Sequence, residues 1–543
     1  MLWHFQNPCD IIVSRMGKVA KYLNKLTIGN VFDSPDVLEV YSTDCSVLKI
    51  KPKIVALPES TDDIRKIMRF CHQLAVRDIR IPVTVRGSGL DETGADLSNS
   101  LVISTEKLNR LLESDKRERL VRVQAGITLK ELNTALSING LIVPIDGHEN
   151  DTIGGLISNC PSDDYSGKYG GIMAYVERME VVLPNGDILQ TNRLGSHAVA
   201  HRGKEKTLEG SIYRKMSKLI KDNDALIKDI YKNNVGTTGY PTIAQAGRNG
   251  SIDLAPLFFG AQGTLGVISE VILRAIPIKP QAKRVVATFE SFDIAQKFLD
   301  LANSLKPREL NIYDIKIVKT AEESGKRLSG FTRKIDNGYV VFAKFDDKTK
   351  SCLRKIESIR KVLPANTKLV IESSKNEAKL DEFENSLVSF LKSVHTGERV
   401  PLLTDFYIPS KRLGKFIESL TVLEKSMRLD LALYGSYSAG NYNLRPRFKI
   451  EEKDFNKTAV AFLRAGNYII NHENGSLTGG APEGRVKAIV TNDMLPENEK
   501  KLYLDIKETF DPNNLMNPDV KLGADSRFTV THFRTTSSSK IVI

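Results

Sequence analysis

Three glycine-rich segments contain the residue types that proteins use to bind phosphate. The first, residues 83–89 (VTVRGSG), is a β-branched strand that runs into glycines, and the second, residues 151–159 (DTIGGLISN), adds a hydroxyl and an amide. The third, residues 260–268 (GAQGTLGVI), is a glycine turn that leads into a strand. Because glycine has no side chain, several backbone N–H groups can converge on one anion. Each segment alone is also typical of a tight turn, and neither the GxGxxG nor the GxxxxGK[ST] phosphate motif occurs.

The elements that must position these segments alternate between short strands and helices. In the first half, β-branched runs predict strands at 54–58, 100–104, 120–124 and 176–183, and amphipathic runs predict helices at 61–75 and 129–139. From about residue 280, the runs KRVVATF, FDIAQKFLDLANSL, GYVVFAKF and SCLRKIESIRKVL predict a strand–helix–strand–helix order. That order suits a sheet with helices packed on it.

Size and composition limit the possible classes of protein. A chain of 543 residues with 41% hydrophobic and 27% charged residues is expected to be globular and to form two or three folding units. No apolar run is long enough for a membrane-spanning helix. The five cysteines are odd in number and include no CxxC pair, which argues against iron–sulfur ligation and favours a reducing cytoplasm.

The net charge of +12 could indicate nucleic acid or an anionic membrane surface as partner. The basic residues are, however, interleaved with acidic ones, as on solvated helix faces, and no nucleic-acid motif is present. We therefore expect a cytoplasmic protein that does not bind nucleic acid. Peripheral contact with the inner face of the membrane stays open as an alternative, and a steep loss of binding with rising salt would support such a charge-driven role.

The order and surroundings of the three glycine segments resemble the FAD-binding domain of the vanillyl-alcohol oxidase and p-cresol methylhydroxylase superfamily. The resemblance covers residues 38–523, including TDFYIP and FDPNNLMNP, and is closest to D-lactate dehydrogenases and the glycolate oxidase flavin subunit. It implies an α+β fold with a two-subdomain FAD-binding domain and an α/β cap domain built on an antiparallel sheet. The expected divisions are a helical lead-in at 1–45, the FAD-binding domain at 46–279 with an irregular basic insertion at about 194–250, the cap or substrate domain at 280–500, a segment returning to the FAD domain at 501–523, and a tail at 524–543.

The resemblance also implies which residues hold FAD. The loop around the pyrophosphate would consist of Arg86, Gly87, Ser88, Gly89, Leu90 and Asp91. The flavin and its phosphates would be lined by Asp146, Thr152, Gly154, Gly155 and Asn159, with Asn517 returning to the same site. The adenine half and the third glycine segment would contribute Gly170, Val176, Gly263, Gly266 and Ile268. Leu90 occupies the position where many members place the histidine that tethers FAD covalently, so we expect non-covalent FAD.

The substrate site departs from the pattern that the resemblance implies. In the D-lactate and D-2-hydroxyglutarate branches, two histidines and a Gly-Glu-His-Gly segment bind a divalent metal. Here Ser436 and Asn443 replace the two histidines, and Gly480-Ala481 replaces the Glu-His pair. These four residues cannot jointly hold a transition metal, so we expect no metal site. The histidine base is missing as well.

Three polar residues near the altered segments are the remaining candidates for catalysis. They are Tyr437, Arg445 and Arg485. A tyrosine or an arginine could polarise a substrate oxygen, and an arginine could bind a carboxylate. A structural salt bridge is an equally good interpretation of each arginine.

The sequence therefore predicts an FAD-dependent oxidoreductase, a D-lactate dehydrogenase-like enzyme that transfers hydride from a hydroxylated small molecule to FAD. Electrons would pass on to a quinone or a redox protein. The alternative is an FAD-binding protein with a degenerate active site that serves as a subunit or scaffold. We favour the enzyme, because retention of the whole flavin-binding pattern is easier to explain if the flavin still exchanges electrons.

Overall fold

The structure is a computed structural model, and it describes residues 8–279, 282–326, 328, 335–347, 349–363, 367–392, 399–448, 454–491 and 494–534. Among these residues, no helix is both long and apolar enough to cross a bilayer.

Residues 8–279 form two principal sheets with helices around them. The strands are β1 (Asn30–Phe32), β2 (Ile54–Leu57), β3 (Val83–Arg86), β4 (Leu101–Ser104), β5 (Leu111–Asp115), β6 (Leu120–Gln124), β7 (Leu141–Ile142), β8 (Val176–Val182), β9 (Ile188–Gln190), β10 (Gly247–Arg248), β11 (Ser251–Ile252), β12 (Val267–Arg274) and β13 (Ile276–Pro277). The helices are α1 (Pro8–Leu26), α2 (Pro35–Val40), α3 (Thr61–Ala75), α4 (Leu129–Ser137), α5 (Ile153–Asn159), α6 (Ser166–Tyr169), α7 (Ser196–Arg202), α8 (Leu208–Asp222), α9 (Asp224–Asn233) and α10 (Ile243–Ala246).

The first sheet has the order β1-β2-β4-β3, and the second has the order β5-β6-β12-β8-β9. Strands β2, β4 and β3 run parallel, so the carboxyl end of β3 meets the carboxyl end of β4 at one edge. The second sheet is antiparallel throughout. Two sheets in this half agree with the expected two-subdomain arrangement.

The rest of the chain forms one large antiparallel sheet and its covering helices. The strands are β14 (Lys283–Phe289), β15 (Glu309–Asp314), β16 (Tyr339–Phe345), β17 (Lys368–Ile371), β18 (Leu403–Tyr407), β19 (Leu431–Ser436) and β20 (Asn441–Pro446), in the order β17-β14-β16-β15-β19-β20-β18. The helices are α11 (Phe292–Ser304), α12 (Ile315–Glu323), α13 (Thr349–Val362), α14 (Glu377–Lys392), α15 (Leu413–Met427), α16 (Phe455–His472), α17 (Gly484–Thr491), α18 (Glu497–Phe510) and α19 (Ser526–Thr531).

Both faces of this sheet are covered, which explains why its central strands are continuously apolar. Along β16, Val341 and Ala343 belong to the core formed with α11, α13, α15 and α16, whereas Val340 and Phe342 belong to the core formed with α12 and α14. Successive side chains of a strand point to opposite faces, so a strand buried on both faces has no polar alternation. The α+β fold and the antiparallel sheet of the second half are confirmed.

The C-terminal segment returns to the first half of the chain. Helix α18 packs against α8. Val83 N–H donates to the Leu515 carbonyl (2.8 Å), and Asn517 N–H donates to the Val83 carbonyl (2.7 Å), so this segment extends the first sheet beyond β3. The end of the chain is therefore part of the wall that carries the first glycine segment.

The insertion at 194–250 differs from the irregular structure that we expected. It consists largely of helices α7 to α10, whose apolar residues Ile212, Tyr213 and Met216 are buried in the same core as the second sheet. The basic residues lie on the outer faces of these amphipathic helices and obscure the apolar stripe in the sequence. The domain boundaries stay predictions, and the tail beyond residue 534 lies outside the described residues.

A buried ion pair joins the C-terminal segment to α17 and to the insertion. Lys521 Nζ lies 2.9 Å from Glu483 Oε2, both side chains are at most 1% exposed, and Glu483 also accepts a hydrogen bond from Gly239 N–H. We expect Glu483→Gln to lower the free energy of unfolding by about 3–5 kcal/mol, because it removes the carboxylate that pairs with a buried ammonium. Chemical denaturation measures the change.

The control is Glu177→Gln, which breaks the exposed ion pair with Arg274. It should change the free energy of unfolding by less than about 1 kcal/mol. Equal effects of the two substitutions would contradict the structural role of the buried pair.

Candidate functional site

A cavity of about 390 Å³ lies between the two halves of the chain, and the three glycine segments meet there. Thirteen of the seventeen residues predicted to hold a cofactor line it: Gly87, Ser88, Gly89, Leu90, Asp91, Asp146, Thr152, Gly154, Gly155, Asn159, Gly263, Gly266 and Ile268. Residues from β15 and from β18 to β20 close the opposite side. The cavity has the size and mixed polarity of a small-molecule site.

Residues 87–92, which we call the glycine loop, follow the carboxyl end of β3. Within the described part of the chain, none of the backbone amides from Ser88 to Glu92 donates a hydrogen bond. A run of five backbone N–H donors without a protein partner in a cavity wall fits the binding of an anion. Gly89 adopts a positive φ of 75°, and a Cβ there would lie 2.1 Å from Arg86 Nη2.

The second glycine segment packs directly against the glycine loop. A Cβ at Gly87 would lie 2.2 Å from Thr152 Oγ1, and this hydroxyl accepts a hydrogen bond from Gly155 N–H at the start of α5. Gly154 N–H donates to the Ala125 carbonyl at 2.7 Å, which holds the segment against the second sheet. The lack of side chains at these glycines therefore allows two loops from different sheets to form one surface.

Four of the predicted cofactor residues do not line the cavity. Arg86 lies behind the glycine loop, where its guanidinium donates to the Thr43 carbonyl and stacks on Tyr41. Gly170 ends α6, and Val176 begins β8. Asn517 is buried, and its side chain holds neighbouring loops together rather than facing the cavity. For Arg86 and Asn517 the structure therefore indicates a supporting position.

The side of the cavity opposite the glycine loop is rich in polar groups, and we call it the polar wall. It consists of Asn311, Tyr313, Asp405, Tyr434, Ser436, Asn441 and Asn443. Neighbouring strands of the large sheet place these residues together, because β15 pairs with β19, and β20 pairs with β19 and β18.

Asp405 is the centre of the polar wall, and it was not among the site residues predicted from the sequence. It lies at an irregularity in the β18–β20 register and has a left-handed backbone with φ 48°. Its N–H donates to Asn443 Oδ1 (3.1 Å), its carboxylate accepts from Asn441 Nδ2 (2.9 Å), and its carbonyl accepts from Gly480 N–H (3.0 Å). Strained backbone and bulges of this kind are concentrated at functional sites. The signal available in the sequence was an aspartate inside the apolar run LLTDFYIP.

The four positions that replace metal ligands all lie beside Asp405 or its partners. Ser436 and Asn443 line the cavity, whereas Gly480 and Ala481 donate their N–H groups to the Asp405 carbonyl. A Cβ at Gly480 would lie 2.3 Å from Asn441 Oδ1 and 2.6 Å from the Asp405 carbonyl oxygen. Asn441 therefore occupies the space that a larger residue at position 480 would need, and the wall is packed around a small residue.

Arg445, predicted as catalytic, contacts the cavity only through its neighbours. Its guanidinium donates to Glu92 Oε1 (2.7 Å), to the Tyr434 hydroxyl (3.1 Å) and to the Leu391 carbonyl (2.9 Å). Burial raises the pKa of Glu92, and the nearby Arg445 opposes that rise. Glu92 and Tyr434 themselves line the cavity, so Arg445 positions two groups that can meet a substrate.

The structure does not bring Tyr437 or Arg485 to the cavity. The Tyr437 hydroxyl donates to Asp300 on α11 (2.6 Å), within the core on the far face of the large sheet. Arg485 donates to the carbonyls of Leu97 and Asp519 and packs over the Phe528 ring. Tyr437 follows Ser436, the last residue of β19. Because successive side chains of a strand point to opposite faces, the Tyr437 side chain points away from the cavity.

The loop at residues 161–164 joins the glycine segments to the polar wall. Ser162 N–H donates to the Gly480 carbonyl, and the Ser162 carbonyl accepts from Asn441 Nδ2 (2.7 Å). Asp164 accepts from Asn311 Nδ2. Burial and the nearby Asp146 raise the pKa of Asp163 to about 8, and burial raises the pKa of Asp164 well above its usual range.

A second group of acids lies at the other end of the glycine loop. Carboxylate oxygens of Asp44, Asp91 and Asp96 lie within 4.8 Å of one another. Burial raises the pKa of both Asp44 and Asp96, and Arg86 lies 3.6 Å from Asp96. Burial beside other carboxyl groups favours the neutral form of such acids, and we assign no ion to this group.

Comparison with known proteins gives these features a family context. A family model described as "FAD binding domain" matches residues 52–192, and one described as "FAD linked oxidases, C-terminal domain" matches residues 279–520. The chain is 24% identical over 497 residues to the glycolate oxidase subunit GlcD of Bacillus subtilis (strain 168), covering 90% of this chain and 93% of that protein.

Two further relatives are dehydrogenases. The D-lactate dehydrogenase of Anaerostipes hadrus is 23% identical over 485 residues, which cover 87% of this chain and 89% of that protein. The D-2-hydroxyglutarate dehydrogenase of Pseudomonas putida is 23% identical over 499 residues, covering 88% of this chain and 49% of that protein. The chain thus spans about half the length of the latter relative.

Solved structures share the fold. The 4-ethylphenol oxidase of Gulosibacter chungangensis has a TM-score of 0.67 at 14% identity, covering 97% of this chain and all of that chain. A p-cresol methylhydroxylase with substrate bound has a TM-score of 0.64 at 13% identity, covering 95% and 98% of the two chains.

The raised pKa of Asp163 predicts a pH-dependent stability. A carboxyl whose pKa is raised by folding binds its proton more tightly in the folded protein, so its contribution to stability is largest at acid pH and is lost as the pH rises toward about 8. In the wild type, we expect the denaturant concentration at the unfolding midpoint to decline between about pH 5 and 8. The decline should be shallower in Asp163→Asn, because asparagine mimics the neutral acid.

Denaturant titrations at several pH values measure this effect, with the exposed α18 carboxylate variant Glu508→Gln as the control. The same pH profile in Asp163→Asn and in the wild type would show that Asp163 ionises normally.

Proposed function

Since this chain belongs to the FAD-linked oxidases of the vanillyl-alcohol oxidase and p-cresol methylhydroxylase superfamily, we propose that it is an FAD-dependent dehydrogenase that oxidises a CH–OH group without a metal ion. The observation that carries the proposal is the meeting of the glycine loop and the polar wall around Asp405 in one cavity. A protein that serves only as a scaffold would not require an aspartate with a left-handed backbone at the centre of the polar wall.

The glycine loop would hold the FAD pyrophosphate through its backbone. Five successive amides without partners, from Ser88 to Glu92, are donors that can be directed at an anion. Gly154, Gly155 and Gly263 would allow the cofactor to approach the backbone closely. Leu90 offers no atom for a covalent bond, so we propose that FAD is bound non-covalently. When bound, FAD supplies a two-electron acceptor that takes up hydride from a carbinol carbon.

Asp405 would act as the general base. Its carboxylate lines the cavity and is held by Asn441, while its backbone is fixed by Asn443 and Gly480. A carboxylate so positioned can accept the hydroxyl proton as the carbon–oxygen double bond forms. This would replace the base that the histidine supplies in the pattern described above.

Arg445 would be a positioning residue in the same site. Its guanidinium fixes Glu92 and Tyr434 at the cavity surface, and both can hydrogen-bond a substrate oxygen. A buried guanidinium with three partners keeps these groups in one geometry, which favours an oriented substrate. Electrons would then leave to a quinone or a redox protein.

The glycine loop yields a test of cofactor binding. We expect Gly87→Ala to raise the dissociation constant for FAD at least about tenfold, because the added methyl group would press on Thr152 Oγ1 and separate the two loops. Titration of FAD-depleted protein, followed by flavin fluorescence, measures the constant. Gly195→Ala, whose added methyl group would meet nothing within 4 Å, is the matched control. Unchanged affinity in Gly87→Ala would remove the loop from the proposed FAD site.

The role of Asp405 can be tested by anaerobic flavin reduction. Asparagine tolerates the same left-handed backbone but cannot accept the proton, so Asp405→Asn should slow reduction by about 10²–10⁴-fold without changing the flavin spectrum. Asp300→Asn makes the same chemical change away from the cavity and should leave the rate unchanged.

The substrates for this experiment are a panel of hydroxy acids, alcohols and sugars. A wild-type flavin that is bound but reduced by none of them would favour the scaffold alternative. A variant that reacts at the wild-type rate would show that Asp405 is not the base.

A further inference from the structure

The cavity lining contains ionisable side chains of almost one sign. Among the described residues that line it, none is a lysine or an arginine, and His148 is the one basic residue. The carboxylic acids of the lining are Asp91, Glu92, Asp96, Asp146, Asp151, Asp163, Asp164 and Asp405. Of these, Glu92, Asp164 and Asp405 lie at or beside the polar wall through their contacts with Arg445, Asn311 and Asn441.

The nearest cations lie behind this surface rather than on it. Arg445 is engaged by Glu92, Tyr434 and a carbonyl, as described above. Lys487 is 1% exposed and donates to the Ala481 carbonyl, and Arg308 donates to the Tyr165 hydroxyl. These groups offset the charge of the neighbouring carboxylates, but none of them lines the cavity. The polar wall, as far as the structure describes it, therefore has no basic side chain to pair with a substrate anion.

A hydroxy acid fits this surface poorly. Its carboxylate would have to leave water and approach Asp164, Glu92 and Asp405, so it would lose hydration without gaining an ion-pair partner. The positions that hold a metal in the branches described above are filled by side chains that cannot bind one, and Asn441 fills the space beside Gly480. No cation and no metal site on the described wall therefore takes over the binding of a carboxylate.

The same surface fits a neutral molecule with several hydroxyl groups. Carboxylates accept hydrogen bonds only, side-chain amides both donate and accept, and the hydroxyls of Tyr313, Tyr434 and Ser436 do the same. A polyol presents one donor and two acceptor sites at each carbon and carries no charge to be desolvated. Asp164 and Asp405 can accept from adjacent hydroxyls while Asn311, Asn441 and Asn443 complete the wall.

We infer that the substrate of this enzyme is an uncharged polyhydroxylated compound of the alditol or sugar class, not a 2-hydroxy acid. The inference rests on the proposed function, because it names the molecule whose CH–OH group is oxidised. One carbinol carbon would lose hydride to FAD, and its O–H proton would pass to Asp405, which yields a carbonyl product.

The test uses the FAD-loaded wild-type protein and separates binding from reaction. Calorimetric titration measures affinity for xylitol, D-sorbitol, glycolate, D-lactate, D-2-hydroxyglutarate and D-glucamine, and anaerobic bleaching of the flavin measures reaction with each compound. We expect xylitol or D-sorbitol to bind at least about tenfold more tightly than any of the acids. Tighter binding of a hydroxy acid, or no measurable binding of either polyol, would overturn the inference.

The remaining outcomes distinguish the inference from the proposed function. A polyol that binds but leaves the flavin oxidised would support the substrate class and count against the dehydrogenase. A hydroxy acid that binds best and bleaches the flavin would support the dehydrogenase and overturn the substrate class. D-Glucamine is D-sorbitol with one terminal hydroxyl replaced by a cationic amine, so tighter binding of D-glucamine than of D-sorbitol would overturn the neutral class in favour of a cationic one.

A pair of variants tests the charge argument at one position. Ser436 lines the cavity, and Ser436→Lys places a cation on the polar wall, whereas Ser436→Gln adds similar length without charge. We expect Ser436→Lys alone to shift the ratio of D-lactate affinity to xylitol affinity at least about tenfold toward the acid. Equal ratios in both variants would contradict the argument, and if Ser436→Lys does not fold, the wild-type panel still decides.

Discussion

The cavity depends on one buried amide side chain that holds three distant loops together. Asn517 Nδ2 donates to the carbonyls of Ala95 (2.8 Å) and Gln262 (2.7 Å), and its Oδ1 accepts from Thr84 (2.9 Å). Its backbone also extends the first sheet through Val83. Because the side chain is almost fully buried, each lost bond would leave a polar group without water or a partner. The glycine loop and the third glycine segment thus depend on the last part of the chain for their relative positions.

The second half of the chain meets this frame through polar contacts rather than an apolar interface alone. Glu92 pairs with Arg445, Gln262 accepts from Gly484 N–H, and Arg485 donates to the Leu97 carbonyl. Buried charges are costly unless they are paired and hydrogen-bonded, so these contacts require a defined register between the halves. That register gives the polar wall a fixed distance from the glycine loop, which a redox site needs if substrate and cofactor are to react.

The replacement of the metal ligands is a coordinated change of packing around Asp405. The glycine at position 480 leaves room for Asn441, and Asn441 in turn holds both the Asp405 carboxylate and the Ser162 carbonyl. Restoring histidines at positions 436 and 443 alone would therefore not restore a metal site, since position 480 is enclosed by Asn441 and the Asp405 carbonyl. This connected set of contacts is easier to explain in a site with a different chemistry than in a site that has merely decayed.

The sequence by itself determined the α+β fold, the glycine segments and most of the residues around the cavity. These features are local: glycines at strand ends form loops with free amides, and their order along the chain carries the family resemblance. The sequence also singled out Ser436, Asn443, Gly480 and Ala481 as positions where the expected metal ligands are replaced.

Only the tertiary structure decided which polar side chains face the cavity. Glu92 and Arg445 are 353 residues apart in the chain, and no local pattern records such a pair. Tyr437 and Arg485 belong to segments that the sequence singled out, yet they point into the core and toward the C-terminal segment. Side chains alternate between the faces of a strand, and the face that meets a cavity depends on what packs against the sheet. For the same reason, the position of Asp405 at the centre of the polar wall could be recognised only from the tertiary structure, in which four distant segments surround it.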